Sequence, residues 1–132
     1  IGVQTLNRAV DYARNRVVFG RPIGQNQAIQ HPLAENWMDL QSAFLVCMEA
    51  ARLYDAGKPA AALANAAKYL GAEAGYRAAT QSVMTHGGMG YAKEYHVERL
   101  LREAMIPRLA PVSAQLILCY IAERVLELPR SY

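Results

Sequence analysis

Apolar residues recur at steps of three and four along most of this chain, the spacing that places side chains on one face of an α-helix. In residues 1–17 this stripe is formed by Leu6, Val10, Ala13 and Val17. The same periodicity predicts four further helices, at about residues 27–56, 60–85, 97–105 and 111–126. No window alternates with a period of two, so no strand is predicted. The pattern therefore predicts an all-α fold, an antiparallel bundle of four to five helices in one domain, 1–132.

Glycine and proline residues mark the expected ends of these helices, because neither residue continues a stable helix. Phe-Gly-Arg-Pro-Ile-Gly at residues 19–24 separates the first two helices, and Gly-Lys-Pro at residues 57–59 ends the second. Pro107 is expected to end the fourth helix. Pro111 is expected to lie in the first turn of the fifth helix, with Ser113 close by.

The third predicted helix is rich in alanine and runs into a glycine-rich turn. Small residues let helix axes approach closely, so this helix is expected to be the most buried element. Gly87, Gly88 and Gly90 follow it directly. Such a turn leaves backbone amides free and lets a ligand approach the main chain, although many helix C-termini look the same.

The composition is typical of a globular protein, with 53% hydrophobic and 19% charged residues. The net charge of +3 is scattered along the chain and does not favour nucleic-acid binding. No apolar run approaches the ~20 residues of a membrane span, and no cysteine and histidine spacing resembles a metal site. Cys47 and Cys119 lie in apolar helical stretches, so both are expected to be buried free thiols, which suits a reducing cytoplasm.

Two motifs resemble the C-terminal domain of acyl-CoA dehydrogenases. The first, Arg16-x-x-Phe19-Gly20-x-Pro22-Ile23-x-x-x-Gln27, is similar to the linker between that domain's first two helices. The second runs from His86-Gly87-Gly88-x-Gly90-Tyr91 through Glu94 and Val97-Glu98-Arg99 to Arg102-Glu103. In this family the bundle follows an N-terminal helical domain and a middle β-domain. The chain also begins Ile-Gly-Val inside a helical pattern, so it is expected to be a piece of a longer flavoenzyme.

The resemblance implies a reaction, a cofactor and partners. The family oxidises acyl-CoA thioesters to 2-enoyl-CoA: a carboxylate takes the α-proton, and the β-hydrogen leaves as hydride to N5 of the flavin. The implied cofactor is FAD, held by the bundle largely across a subunit interface. The implied partners are an acyl-CoA substrate, an electron acceptor and further copies of the chain, as a homodimer or homotetramer. A cytoplasmic location is expected.

The resemblance also implies which residues would contact FAD. Arg16 would meet the diphosphate, Phe19 would pack on the adenosine half, and Gln27 would hydrogen-bond the cofactor. The turn would run beside the cofactor of the neighbouring subunit through Met84, His86, Gly87 and Gly88. Ser113 and Gln115 would lie near the cofactor of their own subunit. The chemistry agrees, since an arginine fork suits a diphosphate and glycine suits close contact with a bulky ligand.

These residues also have plainer interpretations. Arg16 could be a solvated cation at a helix end, Phe19 part of the core, and Gln27 a helix cap. His86 could make a local hydrogen bond to the backbone instead of a flavin contact. The charged residues of the fourth helix and the turn before it are expected to form structural ion pairs; these are Glu94, Glu98, Arg99 and Arg102.

No catalytic residue is predicted within this chain. The usual family base is the glutamate of a Tyr-Glu-Gly-Thr-like run, and Pro111 stands at its place here, in Arg-Leu-Ala-Pro-Val-Ser at residues 108–113. Proline cannot accept a proton. Some family members draw the base from the first helix of this domain. The position of that base would here lie upstream of residue 1. Two alternatives remain, a non-catalytic assembly domain that has lost flavin and acyl-CoA oxidase-type chemistry on the same fold. The isolated chain is not expected to catalyse a reaction.

Overall fold

The computed structural model describes residues 1–131 and contains five α-helices joined by short connections. Their bounds are α1 Gly2–Asn15, α2 Gln27–Asp55, α3 Ala61–His86, α4 Val97–Leu109 and α5 Ala114–Arg124. The prediction of an all-α bundle is confirmed. The predicted start of α2 is correct to the residue, and α3 ends one residue later than predicted.

Helix α3 is the centre of the bundle and packs against each of the other four helices. Seven of its residues are buried, more than in any other described helix, as its small side chains predicted. The α1–α3 contact is especially close, because a Cβ atom added at Gly2 would lie 3.0 Å from the Cα atom of Gly75. The largest fully buried side chains come from three of the surrounding helices as well as α3: Leu100, Ile117, Val97, Thr5 and Ser82.

The segment between α1 and α2 corrects the expectation of no strand. Val17–Val18 pairs in antiparallel fashion with Arg21–Pro22 to form a two-stranded ribbon, β1 and β2. Two residues per strand are too few to show a period of two in the sequence. A short 3₁₀ turn, Ile23–Gln25, then leads into α2.

The boundaries of α4 and α5 differ from the predicted ones. Pro107 does not end α4, which continues to Leu109. Lys68 of α3 donates a hydrogen bond to the Pro107 carbonyl and ties this last turn to the bundle. Pro111 lies outside α5, and Ser113 is the N-cap, where its hydroxyl oxygen accepts a hydrogen bond from the Leu116 amide at 3.4 Å. The side chain of Ser113 therefore sets the start of α5.

The charged residues of α4 form the expected pairs. Arg102 pairs with Glu98, and Arg99 pairs with Glu103, each across one helical turn. Glu94 takes part in none of the ion pairs found among residues 1–131. Exposed pairs of this kind contribute little to stability.

Both cysteines are free thiols, but the expectation that they are buried is wrong for Cys47, which is exposed, and Cys119 is half-buried. Cys47 lies in α2 close to Phe44, Leu45 and Met48, all more than half exposed, so this stretch of the helix is left uncovered by the rest of the chain. By length and composition alone, one described segment, Val97–Arg124, could cross a membrane. In the structure this segment is two helices, α4 and α5, separated by residues 110–113.

Candidate cofactor site

The chain connections bring seven of the nine predicted cofactor residues to one end of the bundle. Helix α1 ends at Asn15, and α2 begins at Gln27 after a short linker. Since α2 and α3 form an antiparallel pair, the end of α3 lies beside the start of α2. Seven of the predicted residues therefore occupy the same end: Arg16, Phe19, Gln27, Met84, His86, Gly87 and Gly88. We call this the glycine-turn end of the bundle.

Phe19 is held out into solvent at the tip of the ribbon. Its side chain is 101% exposed, which rules out the interpretation of Phe19 as core within this chain. Phe19 and Gly20 have φ angles of +52° and +77°, as the central residues of a type I′ hairpin turn require. A phenylalanine in the left-handed region costs roughly 1–2 kcal/mol. An exposed aromatic ring held in this conformation is consistent with a contact to a group outside the chain.

The ribbon is anchored to α1 and α2 by hydrogen bonds on both sides. The amide of Ile23 donates to the carbonyl oxygen of Arg16 at 2.8 Å. Arg21 donates to the side-chain oxygen of Asn26 at 2.7 Å, and the Asn26 side chain donates to the Ile23 carbonyl at 3.0 Å. The position of Phe19 relative to Arg16 is therefore fixed by the linker.

A cavity of about 420 Å³ lies between the last turns of α1 and the end of α3. Its lining is Arg8, Asp11, Tyr12, Asn15, Arg16, His86 and Tyr95. None of the ion pairs among residues 1–131 involves Arg8, Asp11 or Arg16. The lining thus carries two guanidinium groups against one carboxylate, and this excess of positive charge favours an anionic ligand.

Arg8 has a buried guanidinium nitrogen that no acceptor of the described chain reaches. Its Nε atom is buried and has no partner, and its Nη1 atom makes one long hydrogen bond, 3.4 Å, to the carbonyl oxygen of Tyr95. A buried guanidinium nitrogen without an acceptor is costly. The side chain thus has unused capacity to donate to an anion in the cavity.

His86 is buried inside this end of the bundle, with 5% of its surface exposed. Its Nδ1–H donates to the carbonyl oxygen of Ser82 at 2.7 Å. The structure therefore contains the local backbone hydrogen bond that was the alternative to a flavin contact. Burial lowers the pKa of His86, and the nearby Arg8 cation lowers it further, against the opposing effect of the Ser82 hydrogen bond. The ring is accordingly neutral at pH 7.

The glycine turn begins directly after His86. Gly87 has φ +59° and ψ −136°, a conformation that is essentially restricted to glycine. Gly88 does not have positive φ, and a Cβ atom added there would meet nothing within 4 Å. Gly90 is buried, and an added Cβ would overlap the carbonyl oxygen of Val83. The chain itself thus requires glycine at positions 87 and 90 but not at position 88.

Gln27 and Met84 are exposed at the same end. Gln27 is the first residue of α2, whose N-cap is Asn26, and none of the side-chain hydrogen bonds found among residues 1–131 involves Gln27. The cap interpretation of Gln27 therefore has no contact to support it. Met84 lies in the last turn of α3 with 69% of its surface exposed. The roles of both residues toward FAD remain predictions.

Ser113 and Gln115 lie at the opposite end of α4 from the glycine turn. They line a second cavity, of about 280 Å³, together with Met105, Arg108 and Leu109. Helix α4 has 13 residues and separates the two ends by roughly 20 Å. This separation is consistent with the expectation that the two groups contact different FAD molecules, the neighbouring subunit's and their own.

Sequence reasoning did not single out Arg8, Tyr12 or Tyr95, which line the main cavity. Arg8, Tyr12 and Arg16 follow one another at four-residue steps, the first two on one face of α1 and Arg16 at its C-cap. This spacing is visible in the sequence and could have identified the face. Tyr95 could not have been identified in this way, since only the fold brings it to α1.

Comparison with known proteins decides the family. A sequence model described as acyl-CoA dehydrogenase, C-terminal domain, matches residues 3–126. The chain belongs to this family. Acyl-CoA dehydrogenase FadE12 of Mycobacterium tuberculosis is 44% identical over 100% of this chain and 34% of its own length. The 3-(aryl)acrylate reductase of Clostridium sporogenes is 39% identical over 80% of this chain and 28% of its own length.

The fold of this acyl-CoA dehydrogenase C-terminal domain agrees with a solved family structure. The butyryl-CoA dehydrogenase of Megasphaera elsdenii superimposes with a TM-score of 0.91 at 31% identity, covering 95% of this chain and 33% of that one. The chain thus spans about a third of the length of the curated relatives it matches.

Proposed function

We propose that this chain holds FAD and forms the subunit interface of a flavoprotein that oxidises acyl-CoA thioesters to 2-enoyl-CoA. The observation that carries the proposal is the glycine-turn end of the bundle. Arg16 and His86 share one cavity there, and Gly87 and Gly88 follow His86 directly. Family membership supports the reaction class.

The residues at this end fit an extended dinucleotide. Two guanidinium groups without carboxylate partners suit a diphosphate. The exposed ring of Phe19 offers a surface for an adenosine group, and the open space at Gly88 allows a ligand to approach the backbone. Bound there, FAD would supply the hydride acceptor. The α-proton would be taken by a carboxylate from upstream of residue 1, because Pro111 stands at the usual position of the base.

Anaerobic titration of the full-length protein with an acyl-CoA tests this function. We expect the purified protein to be yellow and its flavin absorbance near 450 nm to be bleached by saturated acyl-CoA, roughly one flavin per subunit. Retained colour without bleaching would contradict the dehydrogenase proposal. Oxygen consumption during turnover would instead indicate oxidase-type chemistry.

A non-catalytic assembly domain is the second candidate function. The uncovered stretch of α2 favours it: five large apolar side chains there are more than half exposed, namely Trp37, Met38, Phe44, Leu45 and Met48. Such a surface is unusual on a monomer. An absence of FAD from the full-length protein, together with stable oligomers, would support this second function over the first.

The same surface gives a prediction about assembly. We expect the protein to be a homodimer or homotetramer at micromolar concentration, with contacts also near residues 19–27 and the glycine turn. Leu45→Glu should shift the species toward monomer, because it places a charge within an apolar interface. Asn7→Glu, at an exposed site on α1, should not. Light scattering measures the mass directly, and a wild-type monomer would contradict the prediction.

A further inference from the structure

Three aromatic rings meet beside the main cavity, each from a different element. The rings of Tyr12 and His86 stack with centroids 4.2 Å apart and an interplanar angle of 26°. Tyr95, in the 3₁₀ turn Lys93–Tyr95, packs edge-on against both, at 5.6 Å from Tyr12 and 5.4 Å from His86. We call Tyr12, His86 and Tyr95 the aromatic cluster.

Hydrogen bonds hold this cluster in a single arrangement. His86 donates to the Ser82 carbonyl one turn earlier in α3, at 2.7 Å, which fixes the plane of its ring. Arg8 donates to the Tyr95 carbonyl at 3.4 Å and links the third ring to α1. The cluster therefore joins the last turns of α1, the end of α3 and the approach to α4.

The aromatic cluster stands next to both parts of the proposed cofactor site. Arg16 lies one helical turn beyond Tyr12 and borders the same cavity as Tyr12 and His86. Gly87 and Gly88 follow His86 directly. Any slip or rotation of α1 against α3 would change the distance between the Arg16 guanidinium and the turn. The stacked Tyr12 and His86 rings oppose such a movement, because they pack across that junction.

We propose that Tyr12, with His86 and Tyr95, is a positioning residue that sets the spacing between Arg16 and the Gly87–Gly88 turn, so that one diphosphate-containing ligand meets both. This inference rests on the proposed function as an FAD-holding domain. Tyr12 acts through Arg16 and has no need to touch the ligand. The cluster is then more than a stabilising part of the core.

A double-mutant cycle in the full-length flavoprotein distinguishes positioning from simple stabilisation. The variants are Tyr12→Leu, Arg16→Ala and the two combined, and the readout is the FAD dissociation constant, with melting temperature measured in parallel. Tyr12→Leu alone should weaken FAD binding by roughly three- to tenfold, the range expected for a lost aromatic pair. In the Arg16→Ala background the same change should weaken it less than about twofold. Tyr12→Phe keeps the ring and should restore wild-type affinity.

The contradicting results separate this inference from the proposed function. If Arg16→Ala leaves FAD affinity unchanged, the proposed function is wrong. If Arg16→Ala weakens binding but Tyr12→Leu has no effect, or the same effect in both backgrounds, only the positioning role is wrong. Should Tyr12→Leu unfold at the assay temperature, Tyr95→Leu takes its place in the cycle. That variant removes the edge-on ring and keeps the backbone carbonyl to which Arg8 donates, and the same outcomes decide.

Discussion

Gly90→Ala should destabilise this chain by roughly 3 kcal/mol or more, while Gly88→Ala should change its stability by less than about 0.5 kcal/mol. The reason is local packing. A Cβ atom at position 90 would overlap the Val83 carbonyl oxygen and lie 3.0 Å from the Val83 carbonyl carbon. Both are backbone atoms of the last turns of α3, which cannot move aside without breaking helix hydrogen bonds. Position 88 has free space and no positive φ.

Thermal unfolding of the 132-residue chain measures both effects. We expect Gly90→Ala to lower the melting temperature by roughly 10 °C or more and Gly88→Ala to leave it within about 2 °C. Equal losses for the two variants would contradict the packing described for the turn. In the full-length protein, Gly88→Ala should still weaken FAD binding, because the added methyl group occupies the space through which a ligand reaches the backbone.

The sequence predicted the ends of helices well where several glycine and proline residues interrupt the helical pattern. The start of α2 at Gln27 follows from the linker that contains Gly20, Pro22 and Gly24, and the end of α3 at His86 follows from the glycines directly after it. These residues interrupt a helix largely independently of the surrounding packing. The predicted end of α4 was wrong. Pro107 lacks one backbone hydrogen-bond donor, but the helix continues for two more residues, to Leu109. The Lys68 contact that secures this turn comes from a distant part of the sequence.

The candidate site shows the same division between local and tertiary information. Arg16, Phe19 and the glycine turn are short motifs and could be named from the sequence. The sequence could not indicate that Phe19 is fully exposed or that His86 is buried against Tyr12, since both depend on packing between elements. The exposure of the uncovered stretch of α2 could not be predicted either, because an apolar stripe has the same sequence pattern whether it faces a core or a partner.

Arg16→Ala should weaken FAD binding to the full-length protein by about one to two decades. The change removes a charge-assisted contact worth roughly 1.5–3 kcal/mol. Arg16 makes no ion pair among residues 1–131 and borders the cavity, so its removal should leave the fold intact. Arg14→Ala is the matched control, because Arg14 is an exposed cation two residues away that does not line the cavity.

The most direct test of the central claim, that this chain holds FAD at the glycine-turn end, is a fluorescence titration of the apoprotein with FAD. Wild type, Arg16→Ala and Arg14→Ala are compared at one ionic strength, after thermal unfolding has confirmed equal stability. If the claim holds, we expect a dissociation constant about ten- to a hundredfold higher for Arg16→Ala and unchanged for Arg14→Ala. Equal FAD affinity for Arg16→Ala and wild type would contradict it.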